Sequence, residues 1–114
     1  MNYPRFIISR TGDDHYYYRL YSDREKLLLT GHSSAQRTQC IHAIRQLYAS
    51  VHQDHHYRMQ TADGKFYFQV TNLQHIVVAT SIMYRTMAGM AYGIDAVKKN
   101  VRIAVIKDDV IIKV

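Results

Sequence analysis

The sequence predicts an α+β fold: one mostly antiparallel sheet of seven or eight strands with two helices packed on one face. Three observations predict it. The 114-residue chain matches itself without a gap when displaced by fifty positions. Within each copy, short apolar or alternating stretches are followed by a longer stretch with helical periodicity. The composition, 47% hydrophobic and 21% charged, is that of a globular chain long enough to bury a core without cross-links.

The displacement brings Thr11 onto Thr61, Asp13 onto Asp63, Tyr17 onto Tyr67, Thr30 onto Thr80, Ile44 onto Ile94 and Val51 onto Val101. Near matches keep the same phase: Tyr16, Tyr18, Leu20 and Leu28 fall on Phe66, Phe68, Val70 and Val78. We read two copies, 1–51 and 52–107, followed by a strand-like tail at 108–114. A unit of about fifty residues, with one helix and a small sheet face, is too little for a core of its own. No Pro, Gly or Ser linker separates the copies, and His52–His56 is the only polar join. The chain 1–114 is therefore expected to be one domain.

Each copy reads β-β-β-α-β. Arg5–Arg10 is short and apolar, a strand. Thr11-Gly12-Asp13-Asp14 is turn chemistry, and Asp63-Gly64 in the second copy is a hairpin signal. His15–Tyr21 and Lys65–Thr71 alternate as half-buried strands should. Ser22-Asp23-Arg24 and Asn72-Leu73-Gln74 turn the chain into third strands at Lys26–Thr30 and Ile76–Thr80. The period then becomes helical. Cys40, Ile41, Ile44, Leu47, Tyr48 and Val51 mark one face, and Met87, Met90, Ala91, Ile94, Val97 and Val101 mark the other, with Met83 added to that core set. Ser33 or Ser34 is expected to cap the first helix, and Asn100 to close the second in a left-handed conformation. Final strands follow at about 55–60 and at Arg102–Ile106.

Alternation assigns the sheet faces. Tyr16, Tyr18, Leu20, Phe66, Phe68 and Val70 belong under the helices. Tyr17, Arg19, Tyr21, Tyr67 and Gln69 fall on the opposite face, where Leu27, Leu29, Val77 and Ala79 are expected to join them. A helix-free face so rich in Tyr and aliphatics is a candidate interaction surface. Ten Tyr against three Phe and no Trp point the same way, because a Tyr ring packs while its hydroxyl seeks water or a partner.

Several chemistries find no support. One Cys excludes an intramolecular disulfide and any multi-Cys metal site; Cys40 reads as a core thiol. No spaced glycines cradle a phosphate, and no spacing suggests a nucleophile with its base. Asp13-Asp14 and Asp108-Asp109 are expected in turns, where Asp bonds the backbone. His52, His55 and His56 are the metal candidates, three imidazoles within five residues, although a strand would send His55 and His56 to opposite faces. The net charge of +6 admits an anionic partner. Lys98, Lys99 and Arg102 form the one basic cluster, a candidate anion contact that also complements the negative end of the second helix. Gly89 and Gly93 share a helical side and suit a close approach. Neither a leader-like apolar run near Met1 nor a bilayer-length apolar segment is visible, so a cytoplasmic chain is expected.

Residues of the second copy resemble the YegP-like family, small bacterial proteins of unknown function. Val78-Ala79-Thr80-Ser81-Ile82-Met83-Tyr84 is similar to that family's strand-to-helix junction, Gly93-Ile94-Asp95-Ala96-Val97-Lys98-Lys99-Asn100 to its helix end, and Asp63-Gly64-Lys65-Phe66-Tyr67-Phe68 to its hairpin. The first copy departs from the pattern, with Thr30-Gly31-His32 at the junction and no Lys-Lys-Asn in Arg45–Ser50. The resemblance implies a tandem β-β-β-α-β pair in one sheet, with C-terminal strands exchanged between copies. It implies no enzymatic activity and supplies no catalytic residues.

The expected function is therefore that of a small soluble, non-enzymatic module with a protein-interaction or structural role. Its partner would be a second copy or another protein, with no cofactor and no membrane. The alternative is single-stranded nucleic-acid binding through the same basic, Tyr-rich sheet face, where rings can stack unpaired bases. The scattered cations and the missing RNA-binding signature weigh against it.

Overall fold

The computed structural model describes residues 3–108. The expected tail lies outside the described residues beyond Asp108. The elements are β1 (Arg5–Arg10), β2 (Tyr16–Tyr21), β3 (Leu27–Gly31), α1 (Arg37–Ser50), a single 3-10 turn (Asp54–His56), β4 (Tyr57–Ala62), β5 (Lys65–Thr71), β6 (Val77–Ser81), α2 (Met87–Val101) and β7 (Val105–Asp108). No helix among the described residues is long and apolar enough to cross a membrane.

The seven strands form one sheet in the order β4-β5-β6-β3-β2-β1-β7. Every pairing is antiparallel except β1 with β7. At the centre Thr30 lies opposite Thr80, Leu29 opposite Ser81 and Gly31 opposite Ala79. Positions fifty apart thus exchange places across this seam. The strand after α1 joins β5 at one edge, and the strand after α2 joins β1 at the other. The helices therefore hand their following strands to opposite halves.

Three corrections to the element reading follow. The strand after α1 is also the first arm of the second hairpin, so the order is β-β-β-α twice with β7 closing the sheet. It begins at Tyr57 because residues 54–56 coil into the 3-10 turn. The self-match without a gap holds from β2 onward only. Phe6 faces Leu20 while Tyr57 faces Val70, a displacement of fifty-one. The cause is turn length. Asp63 and Gly64 (φ 52° and 74°) close the second hairpin as a two-residue turn whose twist matches the strands. The first hairpin spans five residues from Thr11 to His15, with the Thr11 hydroxyl accepting from the Asp13 and His15 amides and Asp14 left-handed at φ 58°.

The helix-facing side of the sheet supplies Phe6, Ile8, Tyr18, Leu20 and Leu29 from one half and Tyr57, Phe68, Val70 and Ala79 from the other. Cys40, Ile44, Leu47 and Val51 cover them from α1, and Met90, Val97 and Val101 from α2. Leu29 and Ala79 are thus core residues and not outer-face ones. They pair with Leu20 and Val70, and register shifts at Leu20/Tyr21 and Val70/Thr71 insert a residue that reverses the alternation of β3 and β6.

The helix ends also differ from expectation. Ser34 is drawn into a bridge with Tyr16, exchanging amide bonds of 2.8 and 2.7 Å. Gln36 caps α1 instead, its amide donating to the Gln39 side chain at 3.3 Å. Asn100 stays helical and its side-chain amide donates to the Ala96 carbonyl at 2.7 Å; α2 runs on to Val101. Met83 and Met87 are 52% and 62% exposed, and Ala91 is exposed too. The buried stripe of α2 includes Gly93, with Ile94 only half-buried. Tyr84 explains the shift: a Cβ at Gly93 would overlap its ring and hydroxyl. The glycine admits a side chain from the preceding loop, and the stripe turns toward it.

Candidate functional site

The register places Tyr17, Arg19, Tyr21, Tyr67 and Gln69 together on the helix-free face. Paired residues share a face, and these lie beside Ser9, Ile7, Arg5, Gln60 and Arg58. One lateral row crosses all seven strands: Arg58, Gln69, Thr80, Thr30, Arg19, Ile7 and Lys107. With Leu29 and Ala79 gone to the core, the middle of this face is polar. Tyr17 and Tyr21 flank the row on one half, and Tyr67 flanks it on the other.

All five residues are half-buried. The Arg19 guanidinium sits 5.3 Å from the Tyr17 ring centroid and 5.7 Å from that of Tyr21. Its Nε is buried without a hydrogen-bond partner. Arg5 lies 5.3 Å from the Tyr21 centroid and pairs with Glu25. Cation and ring contacts of this kind hold the guanidinium planes in place at modest energy, about 0.5–1 kcal/mol where exposed. The result is a ladder of aromatic rings and arginines at one end of the face.

The histidines behave differently from a metal set. His52 is exposed in the turn after α1. The 3-10 turn brings His55 and His56 together instead of sending them to opposite faces; their ring centroids are 4.2 Å apart. His75, from the β5–β6 turn, stacks on His56 at 5.2 Å. His56 is buried, and its Nδ1 lies 2.9 Å from the Thr71 hydroxyl. That hydroxyl also reaches the His56 carbonyl, to which it donates at 3.3 Å. Arg58 donates to the His75 carbonyl at 3.0 Å. Burial lowers the His56 pKa, and the neighbouring His55 and His75 lower it further. Among the described residues, no group of three or more His, Cys, Asp or Glu is arranged to hold a metal ion. Nothing in the sequence singled out His75; its left-handed φ of 64° puts it in the place Glu25 takes in the other half.

The basic cluster at the end of α2 diverges. Lys98 pairs with Asp54 and lies 5.5 Å from the Tyr57 centroid. That pairing holds the Asp54 carboxyl below the usual range. Lys99 and Arg102 are exposed, Arg102 at the C-cap of α2.

Comparison with known proteins then bears on this geometry. A family model described as a domain of unknown function (DUF1508) matches residues 62–108. The UPF0339 protein YegP of Escherichia coli K12 is 28% identical over 105 residues, covering 91% of this chain and 96% of its own. Its counterpart in Shigella flexneri is 27% identical with the same coverage. The solution structure of the E. coli protein, described as of unknown function, superposes with a TM-score of 0.88 at 26% identity, covering 96% and 95% of the two chains. A UPF0339 protein from Shewanella oneidensis shares the fold at a TM-score of 0.86 and 23% identity, over 92% and 90%.

Proposed function

Because this chain is YegP-like in sequence and in fold, we propose that it is a non-enzymatic binding module that docks a protein partner on its helix-free sheet face. The observation that carries this reading is the half-exposed ladder of Tyr17, Arg19 and Tyr21, continued by Arg5, on the face away from the two helices of the described residues. Tyr and Arg are the side chains that anchor protein interfaces, since they bring large contact area at small entropic cost. The basic residues in the row, Arg58, Arg19 and Lys107, suit a partner that presents carboxylates. We also read the chain as a duplication with copies 1–51 and 52–107, supported by matching bridges Tyr16–Ser34 and Phe66–Tyr84, and as a cytoplasmic protein.

One observation favours a second reading. Rings held open beside a guanidinium also suit stacked bases, so the same face could take single-stranded nucleic acid. The double variant Tyr17→Ser/Tyr67→Ser tests both. The protein reading expects sedimentation velocity to show loss of self-association or of a bound partner while cooperative unfolding persists. Labelled single-stranded RNA and DNA, titrated at two salt concentrations, separate the alternatives. Micromolar binding that weakens steeply with salt and vanishes in the variant supports nucleic acid. Unchanged sedimentation and unchanged partner binding in the double variant, with only a drop in stability, would show these rings to be structural cover.

A further inference from the structure

On the helix-bearing side, the β2–β3 turn and the last turn of α2 enclose a cleft of about 340 Å³. Its floor mixes the apolar Pro4, Leu28 and Ala96 with the buried polar Ser22 and Asn100, and its exposed rim carries Arg24, Lys26 and Lys99 against one carboxylate, Asp23. We propose that this cleft binds a small phosphate monoester with an apolar body, the phosphoryl group on the three cations and the body on the floor.

The charge argument comes first. Three cations and one carboxylate leave two positive charges, which match a phosphate monoester dianion. Arg24 offers a planar fork for two phosphoryl oxygens, and the lysines add point charges. None of the three cations has an ion-pair partner among the described residues, where the ion pairs are Arg5–Glu25, Arg10–Asp14 and Lys98–Asp54. The turn itself is fixed by Ser22. Its buried hydroxyl accepts from the Arg24 amide at 3.1 Å and the Lys26 amide at 3.2 Å. The hydroxyl proton is not consumed by those bonds and remains for a ligand oxygen.

The opposite half of the molecule shows that the fold does not need these charges. The β5–β6 turn has the same backbone bonds: Asn72 amide to Ile76 carbonyl matches Ser22 amide to Lys26 carbonyl, both at 2.9 Å. It packs against the end of α1 as the β2–β3 turn packs against the end of α2. Yet Gln74 and Ile76 stand where Arg24 and Lys26 do, and Ala49 where Lys99 does. That site is bridged instead, the Asn72 side-chain amide donating to Gln46 at 3.3 Å. One slot is tied to its helix and lacks these cations; its counterpart holds three cations against Asp23, a net positive charge that a bound anion would offset. Complementing the dipole of α2 does not explain Arg24 and Lys26, which belong to another element. The site is distinct from the sheet face and does not depend on its role.

Phenyl phosphate titrated into the isotopically labelled chain, followed through amide resonances, tests the proposal. Saturable shifts are expected at residues 22–26 and 99–100, with none at residues 46–50 and 72–76. Inorganic phosphate and benzoate should each bind at least about tenfold more weakly, one lacking the apolar body and the other the second charge. Arg24→Ala/Lys26→Ala/Lys99→Ala should weaken phenyl phosphate by at least about tenfold, while Lys98→Ala leaves it within about twofold. The single change Lys99→Gln, at an exposed helix position, should weaken it in the same direction if the triple variant proves unstable. Shifts that never saturate and spread over all basic residues, or affinity unchanged in the Lys99→Gln and triple variants, would overturn the site. Equal binding of benzoate would overturn the phosphate assignment.

Discussion

The two halves of the sheet fill the same places with different side chains, and the exchanges come in sets. Beside the central seam, the first half lays the Tyr18 ring over Gly31, and its hydroxyl donates to the Val78 carbonyl in the other half at 2.7 Å. The second half has Phe68 and Ser81 in those places. It adds a ring from Tyr84, which stacks on Phe68 at 6.3 Å and occupies the space that Gly93 leaves open. At the outer corner the first half has the Arg5–Glu25 ion pair beside Tyr21, and the second has His56 stacked on His75 beside Thr71. Close packing explains why such changes travel together: a ring added at one position must be matched by a void at its neighbour.

The sharpest way to break the symmetry uses one residue type in both halves. Ile44 and Ile94 are fifty apart, but Ile44 is fully buried and Ile94 is not. Ile44→Ala should cost about 3–4 kcal/mol, the usual loss for a buried aliphatic with its cavity. Ile94→Ala should cost about 1–2 kcal/mol, because part of its surface is already in water. Urea denaturation at constant m-value checks both. Equal losses would mean that α1 and α2 pack alike after all and that the shift toward Gly93 has no energetic consequence.

How far this arrangement was legible in the sequence depends on distance along the chain. Element types and the core face of β2 and β5 follow from alternation, and Tyr18, Leu20, Phe68 and Val70 lie where the pattern puts them. Parity failed at Leu29 and Ala79 because a bulge carries no composition signal of its own; nothing in Leu27-Leu28-Leu29 distinguishes the inserted residue. The helix phase failed at Ile94 because the cause, Tyr84, lies ten residues earlier and acts through a glycine. The basic cleft was half visible. Lys99 stood out beside Lys98, but Arg24 and Lys26 join it only because the crossover lays α2 against the β2–β3 turn. The histidine stack escapes the sequence for the same reason, since His75 arrives from a turn nineteen residues after His56.

A second experiment transplants one half's solution into the other. Gly31→Ser alone drives a side chain into the Tyr18 ring and disturbs its bond to Val78. A loss of about 2–3 kcal/mol is expected from overpacking together with that bond. Tyr18→Phe/Gly31→Ser/Ser34→Tyr/Ala43→Gly installs the complete set found at residues 68, 81, 84 and 93. It should recover at least about half of that loss, whereas independent sites would simply add their costs. Additive losses across the four changes would show that the two sets are not interchangeable packing solutions.

The smallest expected effect separates the two outer corners by pH. The first corner holds the Arg5–Glu25 ion pair and no histidine. The second corner titrates. Burial, then His55 and His75, lower the His56 pKa, and the charges nearby, Arg58 at the His75 carbonyl and Lys98 already neutralised by Asp54, offer a new cation no relief. The folded chain therefore binds fewer protons than the unfolded chain as the pH falls below about 6.5. Stability should be fully present above that value and decline through the window beneath it, down to the lowered pKa. Urea midpoints at pH 7.5 and pH 5.5 measure the slope. The double change His56→Arg/His75→Glu writes the first corner into the second; it should flatten the slope over this interval while the hairpin register, read from cross-strand amide contacts between Arg58 and Gln69, persists. A slope that survives the exchange unaltered would place the titrating group elsewhere and leave the histidine stack as packing alone.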